Sequence, residues 1–262
     1  MSWQTRSGNR RYFTSSHRAD GRVIREYYGI GPIADLADSI CTLQAKKTAE
    51  LAEAWKRETA RLSEIDAPFG KLTQLTNELV RATLLTLGLR KHPTKWKFIR
   101  MRDEPFEPEG KELEGCRFDE LIRRAEEGDG TALATIRNLL KTPEVWEAPS
   151  DAAELACQMI VGAMAGTDPS LAANIEGRLT ALRIDRTGKS PSGLEKLLVE
   201  RLAVAWLSVI YAEVMARENP EKERTEAQTI YFHRRASEAR KRHALADKLL
   251  TIVGKKLRTA SK

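Results

Sequence analysis

Two apolar stripes in residues 192–257 leave this chain little choice of architecture. Leu198, Leu202, Ala205, Val209, Ala212 and Ala216 recur at alternating steps of four and three. Phe232, Ala236, Ala239, His243, Ala246, Leu250, Val253 and Leu257 do the same. A stripe of that period lets one helix lie along another. Ser192 with Glu195, and Thr225 with Gln228, have capping-box spacing, so each pair can satisfy backbone N–H groups at a helix start. Between them Asn219-Pro220 ends the first helix, because proline brings no N–H to the ladder. The expectation is an antiparallel helical hairpin that closes a bundle.

The rest of the chain supports a mainly α fold: a helical bundle with long antiparallel helical hairpins and one N-terminal β-hairpin. Residues 10–28 carry the β signal. Asp20-Gly21 separates two runs rich in Tyr, Phe, Thr, Val and Ile. Alternation puts Arg11, Phe13, Ser15 and His17 on one face, and Arg10, Tyr12, Thr14 and Ser16 on the other. On the return strand Arg22, Ile24 and Glu26 alternate with Val23, Arg25 and Tyr27. Helical periodicity then covers residues 32–65 and 71–87, with a turn expected at Asp66-Ala67-Pro68 and Gly70. These two helices are expected to form a second antiparallel pair.

Composition shifts sharply after residue 89. The run RKHPTKWKFIRMR holds no acid, and DEPFEPEGKELE behind it is mostly acidic with two prolines. A linker is expected here, giving residues 1–89 as β-hairpin plus antiparallel helix pair, 90–115 as basic then acidic linker, and 116–262 as a C-terminal helical bundle. Within the bundle, helices are expected over 118–127, 131–141, 151–165 and 169–184. Asp168-Pro169 opens the last of these, since aspartate caps and proline fits the first helical position.

The chemistry in the sequence is that of charge rather than catalysis. A formal net charge of +7 and a pI near 9.3 favour anionic partners, nucleic acid before membrane surface. Cys41, Cys116 and Cys157 form no CxxC or Cys/His pair, which argues against a zinc site or a disulfide framework and fits a reducing cytoplasm. No apolar leader stands at the N-terminus, and the most apolar run is broken by Glu195, Lys196, Glu200, Arg201 and Glu213, so a core helix is expected there and a cytoplasmic location for the protein. Thr187-Gly188-Lys189-Ser190 contains a GKS tripeptide without the upstream glycine or strand of a phosphate-binding loop. His17, His92, His233 and His243 form no cluster by spacing. No enzyme activity, cofactor or metal is therefore expected.

Three basic stretches are the binding candidates. The hairpin carries Arg10, Arg11, Arg18, Arg22 and Arg25. The linker carries Lys95, Trp96, Lys97, Arg100 and Arg102, where Trp96 and Phe98 either stack on bases or anchor the segment to a core. The last helix carries Arg234, Arg235, Lys241, Arg242 and Lys248, a row that either tracks phosphates or is simply a solvated face.

At residues 10–40 these features meet a resemblance. RRYFTSSHRADGRVIREYYGIGPIADLADSI is similar to a pattern in uncharacterised bacterial proteins of large-genome environmental species: an aromatic strand, a turn, GRVxREYxGxG and a helix. LEKLLVERLAVAWL and the late Arg-rich helix resemble the same proteins. The N-terminal stretch more loosely resembles the start of some insertion-sequence transposases and the arm-type DNA-binding modules of phage integrases. That resemblance implies Arg18, Arg22 and Arg25 as DNA contacts, with Tyr12 and Tyr27 packing or stacking beside them. No transposase or recombinase catalytic residues follow, so it implies an accessory binding protein of a mobile element or phage. The expected function is non-enzymatic binding of nucleic acid, DNA before RNA, through phosphate contacts. The alternative is a structural protein whose coiled-coil-like hairpins bind a protein partner or a second copy.

Overall fold

The computed structural model of the chain describes residues 2–6, 10–19, 21–92, 95–98, 117–188, 191–217 and 224–260. Among them are seven helices and two small antiparallel sheets, so the fold is mainly α. The chain divides into two compact units, residues 1–63 and 64–262.

The first unit opens with a three-stranded sheet. β1 (Ser2–Arg6), β2 (Arg10–Ala19) and β3 (Arg22–Gly29) lie side by side in that order, each antiparallel to the next. Ala19 pairs with Arg22, and Gly21 between them has φ 76°, the positive value that a tight hairpin loop requires. Phe13 opposes Gly29 while Thr14 opposes Tyr27, so Tyr28 is the extra residue of a bulge and Gly29 adopts φ 78° beside it. β1 goes beyond the expected two-stranded hairpin. Five residues are too few to show a period, and this strand is secured by its pairing and by Trp3 packing on Phe13, ring centroids 5.3 Å apart. Phe13 is 1% exposed, and Ser15 and Ala34 are buried as well.

α1 (Pro32–Thr86) begins in this unit and continues past the division at residue 63. Here the structure corrects the sequence reading. No turn forms at Asp66 to Gly70 and no antiparallel helix pair follows the sheet, because one helix runs straight through Pro68. A proline inside a helix costs about 3 kcal/mol. Ile65, Pro68, Phe69, Leu72, Thr76 and Leu79 are nevertheless all buried, at helical spacing across the proline. Each large apolar side chain in that row contributes about 1.5–3 kcal/mol, so the continuous face outweighs the local breaker.

A second correction follows α1. The start of the expected linker is a hairpin, β4 (Leu89–His92) paired with β5 (Lys95–Phe98). Its register sets Leu89 against Phe98 and Lys91 against Trp96. The period-two alternation of Lys95 and Lys97 with Trp96 and Phe98 is the signal that composition alone concealed.

The remaining helices are α2 (Phe118–Glu127), α3 (Gly130–Leu139), α4 (Glu144–Ala165), α5 (Pro169–Arg186), α6 (Gly193–Ala216) and α7 (Glu226–Ala260). α4 starts earlier than expected and contains buried Pro149. The caps are those the sequence signals. Asp168 accepts from the N–H groups of Ser170 and Leu171. Ser192 and Glu195 form a reciprocal capping box, and Thr225 and Gln228 exchange bonds of 3.1 and 3.3 Å.

α6 and α7 pair antiparallel, as the stripes require. Glu213 near the end of α6 meets Arg240 at 2.8 Å, while Leu257 late in α7 shares a cavity with Ser192 and Leu194 at the start of α6. α6 is more than half of a two-helix seam. Leu194, Leu197, Leu198, Val199, Leu202, Val204 and Leu207 bury its whole circumference, so it is the central helix of its unit. A second core joins Ala82 and Leu85 of α1 to Leu121 and Ile122 of α2 and Leu133 and Ile136 of α3. Among the described residues no helix is long and apolar enough to cross a membrane.

Candidate nucleic-acid interface

The N-terminal sheet has two unlike faces. Phe13 and Ser15 are buried on one. On the other, Tyr12 packs against Tyr27 with centroids 5.5 Å apart, and Tyr27 remains 57% exposed. Register places Thr14 opposite Tyr27 and Ser16 opposite Arg25. Arg25 and Ser16 are both exposed. From β1, exposed Gln4 opposes Tyr12 and joins this face, a member the sequence reading missed because β1 itself was missed. Along residues 10–29 the sequence holds two acids, Asp20 and Glu26, and Glu26 is on the opposite alternation. Glu26 is occupied by the Tyr28 hydroxyl, which donates to it at 2.8 Å and is thereby held above its ordinary pKa.

The predicted arginines of the hairpin separate by register. Arg25 lies on the Tyr12 and Tyr27 face, while Arg11 and Arg22 alternate with the buried set yet are exposed. Arg10 opposes Arg6 and Arg18 opposes Val23; the side chains of Arg10 and Arg18 lie outside what is described. Among the described residues Arg11, Arg22 and Arg25 make no ion pair.

The second stretch is partly placed. Lys95, Trp96 and Lys97 belong to β5, opposite His92, Lys91 and Arg90, and Arg100 and Arg102 lie outside the described residues.

The third stretch is used differently from the first. Arg235 is a correction to the expected phosphate row: only 10% of its side chain is exposed. It forms a bidentate pair with Asp66 at 2.8 and 3.2 Å and lies over the Tyr211 ring at 5.1 Å. Its period matched the basic row, but it faces the bundle. Arg234 pairs with Glu238 at 3.2 Å. Arg242 approaches the same Glu238 at 3.8 Å and lies 6.0 Å over Phe69. Lys241 and Lys248 are exposed.

A cleft of about 650 Å³ lined from α4, α5 and α6 is the place to look for catalysis. It holds the Arg183–Glu200 pair at 2.6 Å and the thiol of Cys157. Burial pushes that thiol above its ordinary pKa, the wrong direction for a nucleophile. No His, Cys, Asp or Glu cluster able to hold a metal occurs among the described residues. No protein-family model matches the chain, no curated protein matches it, and no solved structure matches its fold.

Proposed function

We propose that the chain is a nucleic-acid-binding protein, with the N-terminal sheet as its contact surface. The observation that carries this reading is the contrast in how its arginines are used. Arg234, Arg235 and Arg242 are engaged by carboxylates. Arg25 stands exposed beside a tyrosine pair, and Arg11 and Arg22 are exposed on the opposite alternation, on a sheet with few acids. Guanidinium groups held that way suit phosphate oxygens, and Tyr12 and Tyr27 offer flat surface to a sugar or base. Duplex DNA is the preferred ligand. The resemblance of the N-terminal stretch to arm-type modules, in which a small basic sheet or hairpin contacts DNA, is what favours DNA over RNA. An accessory role with a mobile element has the resemblance of residues 10–40 as its support.

The test is fluorescence anisotropy of labelled duplex DNA, single-stranded DNA and RNA with the full chain across a salt series. Duplex DNA should bind tightest, with log affinity falling linearly in log salt. Arg22→Ala with Arg25→Ala should flatten that slope by about one to two and weaken binding about tenfold or more. Equal affinity of this double variant and the parent would remove the sheet from the interface.

A further inference from the structure

Residues 42–54 of α1 are exposed without exception. A helix of about that length is marginal in water without packing. Yet this part of α1 and the turns before it carry Ile33, Leu36, Ile40, Leu43 and Leu51 at 72, 61, 46, 66 and 60% exposure. Ile33, Leu36, Ile40 and Leu43 follow steps of three, four and three, the seam of a coiled coil. The buried side of the same turns is elsewhere: Ala34 is fully covered, and Ala37, Asp38 and Cys41 are half-buried. At 100° per residue that side is about 130° round the helix from the stripe, so the stripe has no cover within its unit.

We propose that this stripe is the seam of a parallel two-stranded coiled coil with a second copy of the chain. The residue types select the occupant. Ile33 and Ile40 fall at the first core position of the heptad and Leu36 and Leu43 at the second, the combination that favours two parallel strands. The stripe is its own complement, as a twofold interface requires. Covering the four seam side chains Ile33, Leu36, Ile40 and Leu43 in both copies removes on the order of 1,000 Å² from water, about the least that a specific interface needs. The next two core positions are Lys47 and Glu50, opposite charges in consecutive layers that fix register at a cost in stability. The longer stripes of α6 and α7 do not compete for this role, because they are consumed within the chain.

Sedimentation equilibrium or light scattering on the full chain, without nucleic acid, tests the pairing independently of the binding function. The parent should have twice the 29.5 kDa chain mass at micromolar concentration. Leu36→Glu with Leu43→Glu should weaken association about a hundredfold or more, with the thermal unfolding of the 64–262 unit kept. Lys47→Ile should tighten association about tenfold, an effect that an exposed monomeric helix cannot show. A monomeric parent at every concentration, a dimer indifferent to the glutamates, or a dissociation constant unmoved by Lys47→Ile would each overturn the proposal.

Discussion

Arg201 and Arg235 are both buried, and the chain treats them oppositely. Arg235 has Asp66 and the Tyr211 ring. Arg201, 7% exposed, donates to the neutral Asn77 oxygen at 2.7 Å, and its Nε has no partner. Burial without a carboxylate pushes its pKa down. Replacing an uncompensated buried cation by an apolar side chain of similar volume relieves a desolvation cost, whereas breaking a pair strands a charge. Arg201→Met should therefore raise stability in urea by about 1 kcal/mol. Arg235→Met should lower it by about 2–3 kcal/mol, toward the small end because Asp66 keeps some water, with no change in nucleic-acid affinity. Asp129 gives the pH counterpart. The Thr131 hydroxyl, the Ala132 N–H, Arg124 and the Thr131 N–H together bring its carboxyl from 3.8 to about 2. A depressed carboxyl stabilises the fold above its unfolded pKa and loses that contribution as protons bind the unfolded state first. Stability should thus fall by about 1–2 kcal/mol between pH 4 and pH 2, and Asp129→Asn, which retains the cap, should flatten that limb of a thermal-melting profile.

At the scale of elements, the helix starts were legible because capping is local. Ser192 with Glu195, Thr225 with Gln228, and Asp168 each act over three residues or fewer. The Asp20-Gly21 turn was legible for the same reason. β1 and the passage of α1 through Pro68 were not, since both depend on groups brought from elsewhere. Pro68 supplies a direct measurement of that conflict. Pro68→Ala restores a backbone hydrogen bond to Glu64 and relieves the ring, at the loss of some buried surface. It should stabilise the chain by about 1–2 kcal/mol in denaturant unfolding, since the interior proline costs about 3. A drop in stability would mean that the proline ring's packing outweighs the missing bond.

Across the whole molecule, net charge says nothing of where an anionic partner would sit. The excess of +7 is spread over arginines that the sequence cannot sort. If the sheet is the contact surface, Arg11→Ala should weaken DNA binding about equally for unrelated sequences, as a phosphate contact does, and Arg234→Ala should leave it within twofold. Anisotropy titrations on two unrelated duplexes decide this. Part of the candidate site was readable: alternation already put Arg25 with Tyr27 on the return strand and Tyr12 apart from Phe13 on the first, while the register that joins the two sets came from the structure. Its isolation from acids was not. By itself the sequence determined the mainly α class, the caps, the hairpin turn and the α6–α7 pair, because each is written in contacts a few residues apart or in a long repeated period. Tertiary structure decided which apolar stripe is spent and which cations are free. Arg235 meets Asp66 across 169 residues, and no local pattern encodes a partner at that separation.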